Sequence, residues 1–120
     1  MISAVVPTFR GTERLSRNLP SVMESLGATG ESWEVIVVDD GGGQLAALPE
    51  KVSLLAREVT GGYGPAVNDG VRAARGEYVL LLNDDVRLES ETVRRLRDAR
   101  ERRRNVPAEP CAGPGAFWPG

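Results

Sequence analysis

Residues 34–41 read EVIVVDDG, an apolar run that ends in two aspartates and a glycine. The continuous β-branched stretch from Val35 to Val38 is too short for a buried helix and is typical of a strand that is covered on both faces. A second run, YVLLLNDD over residues 78–85, has the same character and also ends in acidic residues. Two strands of this kind predict a parallel sheet between layers of helices.

The rest of the chain supplies the remaining strands and the helices that cover them. The four predicted strands are residues 2–7, 34–39, 52–57 and 77–82. Helices are predicted over residues 12–26, 65–74 and from 90 onward, from the spacing of apolar residues and from end signals. The resulting order β-α-β-β-α-β-α predicts an α/β fold, a Rossmann-like three-layer αβα arrangement with a mostly parallel sheet and right-handed crossovers.

Two of the predicted helices carry specific expectations. Pro20 lies inside the first helix, where its missing N–H is expected to kink the helix or to divide it. The third helix begins after Ser90, a good N-cap residue, and is expected to bury Val93 and Leu96, with Ala99 as a further candidate for the same face.

Composition divides the chain near residue 105. Residues 1–105 are predicted to form one α/β domain, since a chain of 120 residues suits a single core. Residues 106–120 contain four prolines and three glycines without a periodic pattern. This segment is therefore predicted to be a Pro/Gly-rich tail or loop.

Overall composition narrows the class of protein. Apolar residues make up 41% and charged residues 27%, as in soluble globular proteins. The N-terminus has neither the basic segment nor the apolar stretch of a secretory signal, so the cytoplasm is the expected location. Cys111 is the only cysteine and histidine is absent. Any metal site is therefore expected to use oxygen ligands.

Charge is distributed unevenly along the chain. Residues 1–93 carry 8 basic and 14 acidic side chains, a net of −6, whereas residues 94–120 carry 7 basic and 3 acidic, a net of +4. All seven basic residues of the second part are arginines between Arg94 and Arg104. They form either a solvated helix face that complements the helix dipole or a surface for phosphate, the inner face of a membrane or an acidic protein. Nucleic acid is not the expected partner of this otherwise acidic chain, and homo-oligomer formation stays open.

Three loops follow predicted strands, at residues 7–10, 39–43 and 83–85. Ligands of open parallel sheets bind beyond the carboxyl ends of the strands, where loops and helix N-termini converge. The adjacent carboxylates of Asp84 and Asp85 repel each other unless a cation, a donor or a proton relieves them. Two explanations account for this pattern. One is a hard divalent cation that bridges to phosphate oxygens, and the other is a capped turn before the next helix.

The other two loops also allow two interpretations. Asp40 and the three glycines after it form either a tight turn or a site where a nucleobase N–H meets a carboxylate and the glycines let the ligand approach the backbone. Phe9, next to Thr8, either belongs to the core or offers a flat face for a base. Such stacking contributes ~1–3 kcal/mol in comparable single-strand sites.

Four segments resemble, in order and spacing, the N-terminal half of the family 2 glycosyltransferases. They are VVPTF at 5–9, EVIVVDDG at 34–41, GYGPAVNDG at 62–70 and GVRAARGEYVLLLNDD at 70–85. The resemblance implies a GT-A type fold, incomplete at the C-terminus, that binds a nucleotide-diphosphate sugar. By that resemblance, the nucleotide-binding residues are Pro7, Thr8, Phe9, Asp40, Asn68 and Asp84.

The same resemblance implies a metal and a reaction. Asp84 and Asp85 match the family's Asp-x-Asp region, with Asp85 as the ligand of Mg²⁺ or Mn²⁺. The metal would neutralise the diphosphate as a leaving group while an acceptor hydroxyl attacks the anomeric carbon with inversion and without a covalent intermediate.

This sequence departs from the family pattern at three points. Asn83 replaces the first aspartate of the Asp-x-Asp pattern, and Arg10 stands where the family often has asparagine. Nothing after Asp85 resembles the family's general base, so no catalytic residue is identified. A non-catalytic or truncated nucleotide-binding module of the same fold is therefore the main alternative.

Two other classes match the sequence less well. A receiver-type signalling domain has its acidic pair after the first strand and a lysine late in the chain, whereas the only lysine here is Lys51. A dinucleotide oxidoreductase is suggested by residues 41–46, which fit G-x-G-x-x-A. However, Asp39 and Asp40 stand where the pyrophosphate would approach, and the first βα turn lacks the motif.

Overall fold

The computed structural model of the chain describes residues 1–41 and 48–104. Within these ranges the elements follow the predicted order β-α-β-β-α-β-α. The strands are β1 (Ile2–Thr8), β2 (Trp33–Asp39), β3 (Val52–Ala56) and β4 (Tyr78–Leu81). The helices are α1 (Thr12–Gly27), α2 (Tyr63–Ala73) and α3 (Thr92–Arg104).

The strands form one parallel sheet in the order β3-β2-β1-β4. The two central strands pair along their whole length, from Ile2 opposite Trp33 to Thr8 opposite Asp39. Both are buried almost throughout, which agrees with the continuous apolar sequence of β2. This pairing brings the carboxyl ends of β1 and β2 to the same edge of the sheet.

Helices cover the two faces of the sheet and complete the three layers. On one face, side chains of β1 and β2 pack against α1 and against Val93 of α3. On the other face, α2 places Ala66 against Val5, Ile36 and Val38. The predicted α/β class is therefore confirmed, with α1 and α3 on one side of the sheet and α2 on the other.

The helices match the predicted ones with small differences at their ends. α1 runs unbroken through Pro20, which is exposed, so the expected division of this helix does not occur. α2 begins at Tyr63, two residues before the predicted start, and Pro65 lies in its first turn, where a missing N–H costs no helical hydrogen bond. No helix in residues 1–41 and 48–104 is long and apolar enough to cross a membrane.

Burial of β4 differs from the prediction that both of its faces are covered. Tyr78 and Leu80 pack on the side of α1, but Val79 is 40% and Leu81 is 46% exposed on the opposite side. The physical reason is the position of α2, which lies over β1 and β2 and leaves this edge strand uncovered within the described residues.

The predicted buried face of α3 is also only partly correct. Val93 is 3% exposed, as expected, whereas Leu96 is 52% exposed and Ala99 is exposed too. Arg97 takes the inward position instead, because it donates hydrogen bonds to the carbonyl of Thr29 and to Glu31 beside the end of α1. The predicted tail at 106–120 and the predicted boundary at residue 105 lie outside the described residues.

Candidate functional site

The carboxyl ends of β1, β2 and β4 meet at one edge of the sheet. Just after β2, the N–H of Asp40 donates to the carbonyl of Thr8 at 2.9 Å, and just after β4, the N–H of Leu82 donates to the carbonyl of Val5 at 3.0 Å. The three loops that follow these strands are therefore held side by side, as the parallel sheet requires.

A cavity of about 380 Å³ opens at this edge. Its lining residues are Pro7, Thr8, Phe9, Asp40, Thr60, Gly62, Tyr63 and Ala66. The structure thus brings together four of the predicted nucleotide-binding residues, Pro7 and Thr8 at the end of β1, Phe9 just after it and Asp40 just after β2. Tyr63, at the start of α2, adds a second exposed aromatic ring that the sequence did not suggest as a site residue.

The Asp40 carboxylate is buried and extensively hydrogen-bonded. Its Oδ1 accepts from Arg57 and from the N–H of Gly61, and its Oδ2 accepts from the N–H of Gly62 at 2.8 Å. The Gly61 N–H is the largest cause of a lowered Asp40 pKa, and Gly62 and Arg57 act in the same direction. Together they outweigh burial, which acts to raise that pKa. Asp40 is therefore held in its charged form and orders the loop that leads into α2.

Arg57 is a site residue that sequence reasoning missed. It follows β3 and donates to Asp40 and, through Nε, to Asp69 of α2 at 2.8 Å. Its side chain is only 17% exposed, so the two ion pairs are poorly screened by solvent. The sequence offers one signal for Arg57, its place at the carboxyl end of a predicted strand. Its partner Asp69 lies 12 residues later in the chain, and its partner Asp40 lies 17 residues earlier.

Phe9 lines the cavity, and Gly41 lies close to the Phe9 ring. The Arg10 guanidinium lies 5.2 Å from the centre of the Phe9 ring, within the range of a cation–π contact. Gly41 has φ 134°, and a Cβ atom there would lie 2.5 Å from Thr60 Oγ1 and 3.5 Å from Phe9 Cε2. Glycine is needed here because the backbone passes so close to these side chains. The glycines at 42 and 43 lie outside the described residues.

Asp84 connects the loop after β4 to β1 and α1. Its carboxylate accepts a 2.7 Å hydrogen bond from Thr8 Oγ1 and two bonds of 3.2 Å from Arg14. The pKa of Arg14 is raised, first by the hydrogen bond to Asp84 and then by the charge of that carboxylate, with a smaller contribution from Asp85. A Cβ at Gly11 would lie 2.0 Å from Asp84 Oδ2, so this contact also needs a glycine.

Asp85 is the carboxylate of this edge that remains available. It is exposed, and within residues 1–41 and 48–104 it forms neither a hydrogen bond nor an ion pair through its side chain. The same ranges contain no group of three or more carboxylate or thiol ligands that could hold a metal alone. Mg²⁺ commonly uses one or two carboxylates, several waters and substrate phosphates. The residues present thus suit a metal that arrives with a diphosphate.

Asp84 and Asp85 do not line the cavity. Asn68 is a third predicted site residue that the structure does not bring to it. It is exposed on α2, the helix that contributes Tyr63 and Ala66 to the lining, but it is not itself a lining residue.

The chain matches one known protein family over most of its length. The sequence model of the family described as Glycosyl transferase family 2 matches residues 3–107. The chain belongs to this family. The expected membership of family 2 is therefore confirmed.

Curated relatives of this family 2 chain are much longer than it is. The succinoglycan biosynthesis protein ExoO of Rhizobium meliloti (strain 1021) is 31% identical over 101 residues, which are 79% of this chain and 28% of that protein. The poly(ribitol-phosphate) beta-glucosyltransferase of Bacillus spizizenii is 31% identical over 103 residues, 78% of this chain and 16% of that protein. The chain thus spans less than a third of either relative.

Solved structures confirm the GT-A type fold of the family 2 chain. S. aureus TarS superposes with a TM-score of 0.70 at 22% identity, over 91% of this chain and 23% of TarS. TarS 1–349 in complex with UDP-GlcNAc gives 0.65 at 26% identity, over 83% and 30% of the two chains. The mannosyltransferase PcManGT from Pyrobaculum calidifontis, with GDP-Man and Mn²⁺, gives 0.65 at 21% identity, over 78% and 30%.

Proposed function

We propose that this chain is the donor-binding part of a glycosyltransferase and that its cavity holds the nucleotide of a nucleotide-diphosphate sugar. The observation that carries the proposal is the cavity at the ends of β1 and β2, where Phe9, Tyr63 and Asp40 meet in a family 2 chain. The likeness to TarS 1–349, whose structure contains UDP-GlcNAc, supports this class of ligand.

The lining residues supply the contacts that a nucleoside needs. Phe9 and Tyr63 are 47% and 56% exposed, so their rings are open to stacking by a base. Asp40 Oδ2 accepts a hydrogen bond only from Gly62 among the described residues, and a carboxylate oxygen can accept more than one. A base N–H therefore has an acceptor on the wall of the cavity.

Asp85 would hold a divalent cation, Mg²⁺ or Mn²⁺, together with the donor diphosphate. When bound, the cation would balance the charge that develops on the leaving diphosphate. Asp84 is occupied by Thr8 and Arg14, so Asp85 is the better placed of the pair for this role. The structure of PcManGT with GDP-Man and Mn²⁺ supports a metal in a protein of the same fold.

The reaction proposed for the whole protein is transfer with inversion at the anomeric carbon. An acceptor hydroxyl would attack that carbon as its bond to the diphosphate oxygen breaks, and the hydroxyl proton would pass to a base. None of the described residues is assigned as this base. Donor binding is thus proposed for the chain itself, and transfer for the longer protein that its relatives represent.

Calorimetry with a panel of nucleoside diphosphates, with and without Mn²⁺, tests the proposal. We expect one base to bind preferentially and Mn²⁺ to strengthen its binding. Absence of binding by every nucleoside diphosphate would overturn the proposal. Metal-dependent binding without transfer from the matching sugar nucleotide would support the donor site and favour a non-catalytic module of the same fold.

Asp85→Ala is predicted to remove the effect of the metal. Its affinity for the preferred diphosphate in Mn²⁺ is expected to fall at least roughly tenfold, to the metal-free value. Loss of a residue that only hydrogen-bonds to a metal ligand already lowers metal affinity by about that factor. Glu89→Ala is the matched control, because Glu89 is also exposed and also follows β4. An Asp85→Ala protein with unchanged Mn²⁺ dependence would remove Asp85 from the metal site.

A further inference from the structure

Helix α3 has one side that carries positive charge and no carboxylate. The i, i+4, i+7 spacing of a helix places Arg95, Ala99 and Arg102 in one row, with Leu96, Arg100 and Arg103 in the next. All six side chains are exposed. We call these two rows the α3 stripe.

The arginines outside the stripe already have partners, whereas most of those inside it do not. Arg97 pairs with Glu31 and Asp98, and Arg104 pairs with Glu77 and Glu101. Within the stripe, Arg95 pairs with Glu91. Across residues 1–41 and 48–104, no ion pair involves Arg100, Arg102 or Arg103. Their charges are therefore available to an external anion.

Apolar surface adjoins the stripe. Leu96 is 52% exposed, and together with Arg100 it borders a groove of about 500 Å³ between α3 and β4. Arginines beside exposed aliphatic side chains are typical of helices that lie in the interface of a lipid bilayer.

The stripe lies away from the candidate donor site. Arg97 of α3 contacts Thr29 just after α1, and Arg104 contacts Glu77 and Tyr78 at the start of β4. These contacts place α3 near the amino ends of the strands, whereas the donor cavity opens at their carboxyl ends. A partner that covers the stripe therefore leaves the donor cavity open.

We propose that the α3 stripe docks on an anionic membrane surface. The arginines would bind lipid phosphates, and Leu96 would enter the boundary between headgroups and acyl chains. A membrane explains both halves of the pattern, since a nucleic acid backbone offers no site for the exposed Leu96. Residues 1–93 carry a net charge of −6, so an anionic membrane attracts α3 and not the rest of the chain. This is expected for docking through one face. This inference does not depend on the proposed donor site.

Vesicle co-sedimentation of the full chain tests the proposal. We expect binding to phosphatidylcholine vesicles that contain phosphatidylglycerol, no binding to pure phosphatidylcholine, and loss of binding as salt rises from about 0.1 M to about 1 M. Absence of binding to the anionic vesicles, or equal binding to both kinds, would overturn the proposal. Duplex DNA serves as a competing polyanion, and tighter binding to DNA than to the vesicles would also overturn it.

Two triple variants that lose the same net charge distinguish vesicle binding through the stripe from binding that depends on net charge alone. Arg100→Gln, Arg102→Gln and Arg103→Gln together are expected to weaken vesicle binding roughly a hundredfold, since each arginine near an anionic surface contributes roughly fivefold. The control combines Arg17→Gln, Arg72→Gln and Arg87→Gln, exposed arginines outside α3, and should stay within about fivefold of the wild type. Equal losses in the two proteins would rule out the stripe. The single variant Leu96→Ser should also weaken vesicle binding, while leaving the salt dependence of that binding unchanged.

Discussion

Arg57 links the candidate nucleotide cavity to the helix beside it. It donates to Asp40, which lines the cavity, and to Asp69 of α2. Arg57→Met keeps much of the side chain's volume but leaves Asp40 with only the two backbone donors of Gly61 and Gly62. We expect nucleoside diphosphate affinity to fall roughly tenfold, the size of one charge-assisted hydrogen bond, because the cavity wall loses its support.

Arg72→Met provides the comparison for Arg57. Arg72 also pairs with Asp69, but it is 77% exposed and does not contact Asp40. Its replacement should change affinity by less than about twofold, since exposed ion pairs contribute little. Calorimetry on the two variants measures the difference. If both variants bind like the wild type, Asp40 does not need Arg57 to keep the cavity in shape.

Helix α2 approaches the sheet closely because Gly70 faces it. A Cβ at this position would lie 2.3 Å from Val5 Cγ1 and 2.9 Å from Val38 Cγ2. Gly70→Ala is therefore expected to destabilise the fold by roughly 1–3 kcal/mol, the usual cost of overpacking a core. The gain in helix propensity, about 1 kcal/mol, acts in the opposite direction.

Gly64→Ala tests the same helix without the clash. A Cβ at Gly64 would meet no atom within 4 Å, so alanine there should leave stability unchanged or raise it slightly. Urea unfolding of the two variants separates packing from propensity. A Gly70→Ala protein as stable as Gly64→Ala would mean that α2 can move away from the sheet without cost.

The elements were predictable from the sequence because their signals are local. The run from Val35 to Val38 and the apolar spacing of α1 identify a strand and a helix without any knowledge of their neighbours. Which face of an element is covered depends on distant segments, however. The exposure of Leu81 follows from where α2 lies, and the exposure of Leu96 follows from the pairing of Arg97 with Glu31.

The candidate site was predictable to the same extent. Parallel strands bring their carboxyl ends together, so Phe9 and Asp40 could be expected in one place before the structure was known. The partners that order them are long-range, and no local pattern indicates them. Asp84 is bonded to Arg14 across 70 residues, and Tyr63 reaches the cavity because α2 begins earlier than its proline suggested.

At the scale of the whole molecule, two buried carboxylates, one in β2 and one just after it, hold the two ends of α2. At the carboxyl edge of the sheet, Asp40 accepts from the N–H of Gly62, the residue before α2. At the opposite edge, Glu34 accepts from the N–H of Arg75, just after α2, and from Ser3 of β1 at 2.6 Å. The negative charge of Asp40 at the start of α2 favours the helix dipole. Glu34 acts at the other end through the hydrogen bonds that it accepts from Arg75.

These two carboxylates make the stability of the fold dependent on pH in one direction. Burial is the largest single influence on the pKa of Glu34 and acts to raise it, but the hydrogen bonds from Ser3 and Arg75 together bring that pKa below its ordinary value. The Asp40 pKa is lowered as well. The folded protein thus binds fewer protons than the unfolded chain near the unfolded pKa values of about 4. The stabilisation is complete above that pH and is lost as the pH falls through the folded pKa values.

We therefore predict that the free energy of unfolding falls as the pH is lowered from about 5 to about 3, and that Glu34→Gln has a flatter profile than the wild type. At neutral pH the Glu34→Gln protein should be the less stable of the two, and the gap should narrow as the wild-type carboxyl becomes protonated. Urea unfolding across this range measures both effects. Glu50→Gln, at an exposed carboxylate without a side-chain partner in the described part of the chain, should follow the wild-type curve. A Glu34→Gln profile parallel to that of the wild type would show that the Glu34 carboxylate does not contribute to the acid sensitivity of the fold.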